Sequence, residues 1–254
     1  MGALILRKIY WWLEKKIVPG LTNSQYYYKR KLFENLPDQK FMWLDLGCGR
    51  QVFGAWMRSE QQEMLSKVRF AVGIDRDLPA LKAHTGFDAK ICADLGAIPL
   101  KDRTFDVITA NMVVEHLAKP DEVFCEVYRL LRSDGIFVFH TSNAANPFIR
   151  TAAKLPQGLK NGVVYLLENR KAEDVFPTHY KVNRPKEVRA VAADAGFAVE
   201  EIEMASTSAF TQMITPLALL ELLWVRLLQR PGLQHLQTNL ICVLKKKAAA
   251  AEAR

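Results

Sequence analysis

The stretch "LDLGCGRQ" (residues 44–51) decides how the rest of the chain is read. An apolar run, "FMWLDL" at 41–46, ends just past an acid, Asp45, and enters a turn made of Gly47, Cys48 and Gly49. Glycines at such a turn let ligand atoms approach the backbone, because no Cβ intervenes. A loop of the form G-x-G-x-x-G, counted from Gly47, calls for a third glycine at position 52, where the chain has Val52. Gln51, two residues after Gly49, also stands where a glycine is frequent. The turn reads as a cofactor loop with one edge modified, and the open question is which cofactor it holds.

Outward from this loop, strands and helices alternate. Strands are expected at 41–46, 70–75, 88–94, 105–111 and 135–142, with helices at 53–68, near 78–84 and at 120–132. That alternation predicts an α/β fold with a mainly parallel sheet covered on both faces. Beyond Ser142 the chain is rich in Asn, Pro and Gly and reads as a loop or lid. A helix at 184–197, a strand at 198–205, an apolar helix at 216–229 and a last strand at 238–247 complete the pattern. The expected organisation is a helical lead-in over 1–36 and one domain over 37–247. That domain carries a lid near 143–183 and an apolar helical insertion near 209–233, and a tail follows over 248–254. No repeat and no domain linker is evident.

In a doubly wound sheet, ligands sit at the carboxyl ends of the strands, so the first strand-to-helix turn is the prime site. A dinucleotide would set its pyrophosphate near Asp45, which is unfavourable. S-adenosylmethionine has no phosphate and carries a sulfonium and an α-amino group, which suit an acid at that place. "LDLGCGR" resembles the first motif of class I SAM-dependent methyltransferases, and the likeness continues in order over roughly residues 40–205. "VGIDRD" and "ADLGAIPL" follow as the second- and third-strand segments, and "FDVITANMVVEHLAKPDEVFCEVYRLLRSDGIFVFHTSN" as the fourth through fifth. "DVFPTHYKVNRPKEVRAVAADAGF" is similar to a segment of the ubiquinone-biosynthesis-like (type 11) branch. The resemblance implies a Rossmann-like, doubly wound, mostly parallel seven-stranded sheet. It implies cofactor contacts by Asp45, Gly47, Cys48, Gly49 and Gln51, with Asp75 and its neighbour Arg76 at the ribose hydroxyls. Asp94 and Leu95 fall at the adenine, and Asn111 at the cofactor or acceptor. "RSDGI" departs from the family's usual turn but keeps Gly135, which is expected to supply a left-handed helix end.

Methyl transfer is an in-line displacement in which the cofactor carries the difficult chemistry and the protein aligns and desolvates. A base is needed only where the acceptor holds its proton, as an alcohol or amine does. His116 is the first candidate, against a purely structural role, and Glu115 is expected to orient a loop. His179 and Tyr180 in "FPTHY" are candidates for touching the acceptor, against a packing role. His140 reads as a core or supporting residue. Asn111 is followed by Met112 and not Pro, so the "NPPY" pattern of base or amide-nitrogen methylation is absent.

The acceptor is less legible. Among 254 residues, 35 Lys and Arg against 27 Asp and Glu give a net charge of +8, which favours anionic partners without choosing among them. Basic residues are scattered apart from "KKK" and "YYYKRK", which speaks against nucleic acid. Cys48, Cys92, Cys125 and Cys242 form no CxxC pair or Cys/His cluster, so no metal is expected. Reduced, mostly buried thiols in the cytoplasm fit better. Two apolar helices, within 4–17 and 211–229, either pack on each other or lie in a membrane interface on the cytoplasmic face. The expected acceptor is therefore a small molecule or a lipid-linked, amphipathic one, methylated on O or N rather than C. Two rivals remain: an inactive methyltransferase-like binding or membrane-associated protein, motivated by Gln51 and the two apolar helices, and a nicotinamide oxidoreductase, against which Val52 and Asp45 argue.

Overall fold

The structure is a computed structural model that describes residues 2–54, 56–153, 176–208 and 215–247. Most of the expected insertion's lead-in (209–214), the middle of the expected lid (154–175) and the tail (248–254) lie outside the described residues. The chain opens with helices α1 (Gly2–Ile17) and α2 (Ser24–Glu34). The sheet strands are β1 (Phe41–Leu46), β2 (Val68–Asp75), β3 (Ala89–Cys92), β4 (Phe105–Asn111), β5 (Leu131–Ser142), β6 (Phe197–Ala205) and β7 (Asn239–Lys246). Between them come α3 (Arg58–Lys67), α4 (Leu78–Ala83), α5 (Pro120–Leu130), α6 (Pro147–Ala153), α7 (Pro185–Asp194) and α8 (Thr215–Leu228).

The seven strands run β3-β2-β1-β4-β5-β7-β6, parallel except for β7, which is antiparallel to both β5 and β6. Successive side chains of a strand point to opposite faces, so each strand feeds two cores. On one face Leu44, Ile108 and Phe137 pack with Phe124 and Val127 of α5 and Val188 of α7. On the other, Trp43, Val107 and Val138 pack with Tyr28 and Leu32 of α2 and Met64 of α3. Tyr10 and Val18 of the lead-in form a third, smaller core with Ala218, Leu222 and Val225 of α8.

Four local expectations are corrected. The helix expected at 53–68 begins only at Arg58. Val52, Phe53 and Met57 are drawn into the core beside Trp43, which bends the chain inward before a helix can start. The left-handed residue of "RSDGI" is Asp134 (φ 62°), not Gly135. Gly135 is needed for close packing instead, since a Cβ there would sit 3.0 Å from the Arg132 carbonyl oxygen. Part of the expected loop after Ser142 is helical, as α6. Of the four thiols only Cys48 and Cys242 are buried, while Cys92 and Cys125 are exposed.

Candidate cofactor site

The register of the sheet assembles the site at the carboxyl ends of its parallel strands. Asp45 of β1 pairs with Thr109 of β4, and their side chains meet: Thr109 Oγ1 donates to Asp45 Oδ1 at 2.6 Å. Trp43 Nε1 in turn donates to Thr109 Oγ1 at 2.7 Å. The Asp45 carboxyl is only 2% exposed, so it stands behind the glycine loop and not in its open face. Burial raises its pKa from 3.8 to about 7, with the Thr109 hydrogen bond opposing and the nearby Asp75 charge adding to the rise. A cation in front of the loop would stabilise the ionised form, so the residue would act on such a ligand through its field.

Gly47 and Gly49 both adopt left-handed backbone, with φ of 61° and 53°. At Gly47 a Cβ would lie 2.5 Å from Val113 Cγ2, so a residue two positions past β4 presses directly on the loop. At Gly49 a Cβ would meet nothing within 4 Å, which leaves an open face beside the backbone. Gln51 has no positive φ and is exposed, so the missing third glycine costs the backbone nothing. The Cys48 N–H donates to the Ile74 carbonyl at 3.0 Å, tying the loop to β2. Its thiol is buried, and burial pushes its pKa well up, so it is an inert wall and no nucleophile.

Asp75, at the end of β2, is held by the loop itself. Its Oδ2 accepts from the Gly49 N–H and its Oδ1 from the Asp77 N–H, both at 2.8 Å. A carboxylate has about four lone-pair sites, so two remain for donors such as vicinal hydroxyls. Arg76 Nη1 lies 3.8 Å from Asp94 Oδ2, a loose pair in which both side chains are 69% exposed. Asp94 Oδ1 closes its own turn by accepting from the Gly96 N–H, and Leu95 leans on the main core.

Asn111 is placed differently from its expected role at a ligand. Its amide oxygen accepts from Gln25 Nε2 at 3.1 Å and from His140 Nδ1 at 2.9 Å. Its amide nitrogen donates to Gln25 Oε1 at 2.9 Å and to the Val52 carbonyl at 3.1 Å. All of its donors and acceptors are engaged, so it joins α2, the loop and β5 rather than presenting a free group. Burial lowers the pKa of His140 to about 4, so the ring is neutral and stacks on Tyr28.

The catalytic candidates form a second cluster around the turn Val114–His116. Since the Pro177 carbonyl only accepts, His116 Nδ1 donates to it at 2.8 Å, and the neutral ring then carries its lone pair on Nε2. That is the tautomer a general base requires. The backbone N–H groups of His179 and Tyr180 both donate to the Glu115 carbonyl, at 2.8 and 3.2 Å. Tyr180 holds a left-handed φ of 50°, and Met112 one of 58°, so two strained residues flank this turn. The His179 side chain is exposed and Tyr180 is half-buried. The Glu115 side chain is buried, accepts from Thr141 Oγ1 at 2.7 Å, and has its pKa raised by burial. Asn183 Nδ2 completes the link by donating to Thr141 Oγ1 at 2.8 Å.

Gln25, Thr109 and Val113 were not legible as site residues, because their partners lie far away in sequence and carry no local motif. Two cavities among the described residues, of about 550 and 290 Å³, lie elsewhere. One is between the start of α5 and α7, the other below Phe87, and neither touches the glycine loop.

In a doubly wound sheet the turn after the first strand, at the carboxyl edge, is where a nucleoside cofactor would be held. Residues 44–139 match the family model described as "Methyltransferase domain". Among curated relatives, a malonyl-[acyl-carrier protein] O-methyltransferase of Methylovorus sp. (strain MP688) is 28% identical over 105 residues, 39% of this chain and 36% of that protein. An uncharacterized protein of Methanocaldococcus jannaschii is 35% identical over 105 residues, 41% of each chain. The matched region thus spans about two fifths of the length of these relatives. An S-adenosylmethionine-dependent methyltransferase from Mesorhizobium loti shares the fold, with a TM-score of 0.53 at 18% identity over 85% of this chain and 96% of that one. Over residues 44–139 the chain is thus similar to the SAM-dependent methyltransferases of the type 11 family.

Proposed function

We propose that the protein transfers the methyl group of S-adenosylmethionine to an oxygen or nitrogen of a small-molecule or amphipathic acceptor. The observation that carries this reading is the joint made by Gly49 and Asp75, set in front of the buried Asp45. The open face at Gly49 is the cradle that a Cβ would fill, and the donor set suits a cation and a diol, so the residues fit the cofactor. When bound, the cofactor supplies a methyl group already activated by the sulfonium. Asp75 would hold the ribose hydroxyls, the glycine loop would admit the methionine portion, and Asp45 would favour its positive charge.

For a hydroxyl or amine acceptor, His116 takes the proton at Nε2 while Pro177 holds the ring in that tautomer. A carboxylate acceptor, of the kind named for the Methylovorus relative, needs no base. His116→Ala therefore separates the two. With a protic acceptor turnover falls about 100-fold or more at unchanged cofactor affinity, and with a carboxylate it hardly changes. The test is release of S-adenosylhomocysteine in the presence of candidate acceptors, acyl carboxylates and amphipathic alcohols first. No turnover on any of them, with the cofactor bound, would favour a binding protein over an enzyme.

A further inference from the structure

We propose that α1 and α8 form a platform that docks the protein on an anionic lipid surface, with the cofactor edge of the sheet turned toward it. Topology places the platform. β6 runs parallel to β5, and Ala205 at its end pairs with Asn239 at the start of β7, beside Ser142 at the end of β5. The chain therefore leaves for α8 and returns from it at the carboxyl edge that carries the glycine loop. The lead-in is pinned to the same edge, by Ser24 on Thr207 at 2.6 Å and by Gln25 on Asn111.

At about 100° per residue, Leu6, Tyr10, Leu13 and Ile17 form one face of α1, and this face packs on α8. Beside that face, about 70–130° round the helix, Ile5 (53%), Ile9 (39%) and Trp12 (60%) are exposed, with Lys8 and Lys15 diametrically opposite it. On α8 the outward positions Leu217 (44%), Leu220 (63%) and Leu223 (49%) are all apolar. Phe148, 62% exposed, extends the surface and meets Trp224 edge-on at 5.6 Å between ring centroids. A surface of this breadth, bearing aromatic rings, is what an interfacial helix pair presents to acyl chains.

Charge selects the occupant. The two helices contain only two acids, Glu14 and Glu221, and both are turned inward: Glu14 accepts from Ser208 and Glu221 from Tyr10. The exposed charges of α1 are all basic, Lys8, Lys15 and Lys16 among them. Lysine stems lie along apolar surface with the ammonium at headgroup level, where anionic lipid pairs with it. A second copy fits less well, because a two-fold contact would bring two sets of these lysines into one interface with no outward acid to receive them. Neither helix crosses a bilayer: among the described residues none is long and apolar enough. The platform lies on one leaflet. This inference rests on the surface alone; that an amphipathic acceptor reaches the site from the lipid rests also on the methyl-transfer reading.

The test is sedimentation of the full chain with phosphatidylcholine vesicles, with and without phosphatidylserine, beside calorimetry of S-adenosylmethionine. We expect binding only to the phosphatidylserine vesicles, weakening with salt. Lys8→Ala with Lys16→Ala should weaken it about 30-fold, from a five- to sixfold step per lysine near an anionic surface. Trp12→Glu with Leu220→Glu should abolish it at unchanged cofactor affinity. Vesicle binding that survives the glutamates would overturn the proposal. So would absence of vesicle binding in a dimer that the glutamates dissociate, since a second copy would then be the occupant. Loss of cofactor binding with vesicle binding intact would strike the methyl-transfer reading instead.

Discussion

At the scale of single residues, the site is two carboxylates with opposite surroundings. Asp75 is partly exposed and already oriented by two backbone donors, so it would meet hydroxyls at little cost in order. Asp75→Ala should weaken S-adenosylmethionine binding by about 1–3 kcal/mol, read by calorimetry on a folded variant; unchanged affinity would remove the residue from the site. Asp45 is buried, with its pKa raised from 3.8 to about 7. For an acid with a raised folded-state pKa, the stabilisation is fully present below the unfolded value and is lost as pH rises through the folded one. Asp45→Asn should therefore raise unfolding free energy by about 1–3 kcal/mol near pH 8 and by much less near pH 4. Binding of a cation has the reverse dependence: wild-type affinity should rise with pH through about 7, with a proton released. A cofactor affinity flat across that window would contradict the role given to Asp45. The identities of both acids were legible from their places at strand ends. That Asp45 lies behind the loop was not, because Thr109 and Trp43 turn it inward through a cross-strand contact that no local pattern records.

At the scale of elements, the cofactor loop is held from three sides. Val113 presses on Gly47, Asp75 holds Gly49, and Asn111 ties Val52 to α2 and β5. Asn111→Ala removes four hydrogen bonds between elements, so it should lower unfolding free energy by about 2–4 kcal/mol in urea titrations. A loss under 0.5 kcal/mol would show that α2 and the loop hold their places without it. The seven strands and the mostly parallel, doubly wound sheet followed from hydrophobic runs and from the family pattern, whereas the strand order and the antiparallel β7 came from the structure. The late start of α3 did not. Phe53 and Met57 are drawn into the core, and Gly54 between them is a poor helix former. The saturation of Asn111 was equally hidden, since Gln25 is 86 residues away.

At the scale of the molecule, one edge of the sheet gathers the glycine loop, the turn carrying His116, and the α1–α8 pair. The resemblance carried by residues 40–205 pointed to the first two. The third came from helical periodicity, which left open whether the two helices pack together or face a membrane. The structure shows the packing, in which one face of each helix closes a small core, and it leaves apolar side chains exposed elsewhere on both helices. The central claim is that this edge binds S-adenosylmethionine. The most direct measurement is calorimetric titration of the purified full chain with S-adenosylmethionine, with NADH as control. The account predicts micromolar binding of the first and no heat from the second. A folded sample that binds neither, or binds NADH alone, would contradict it.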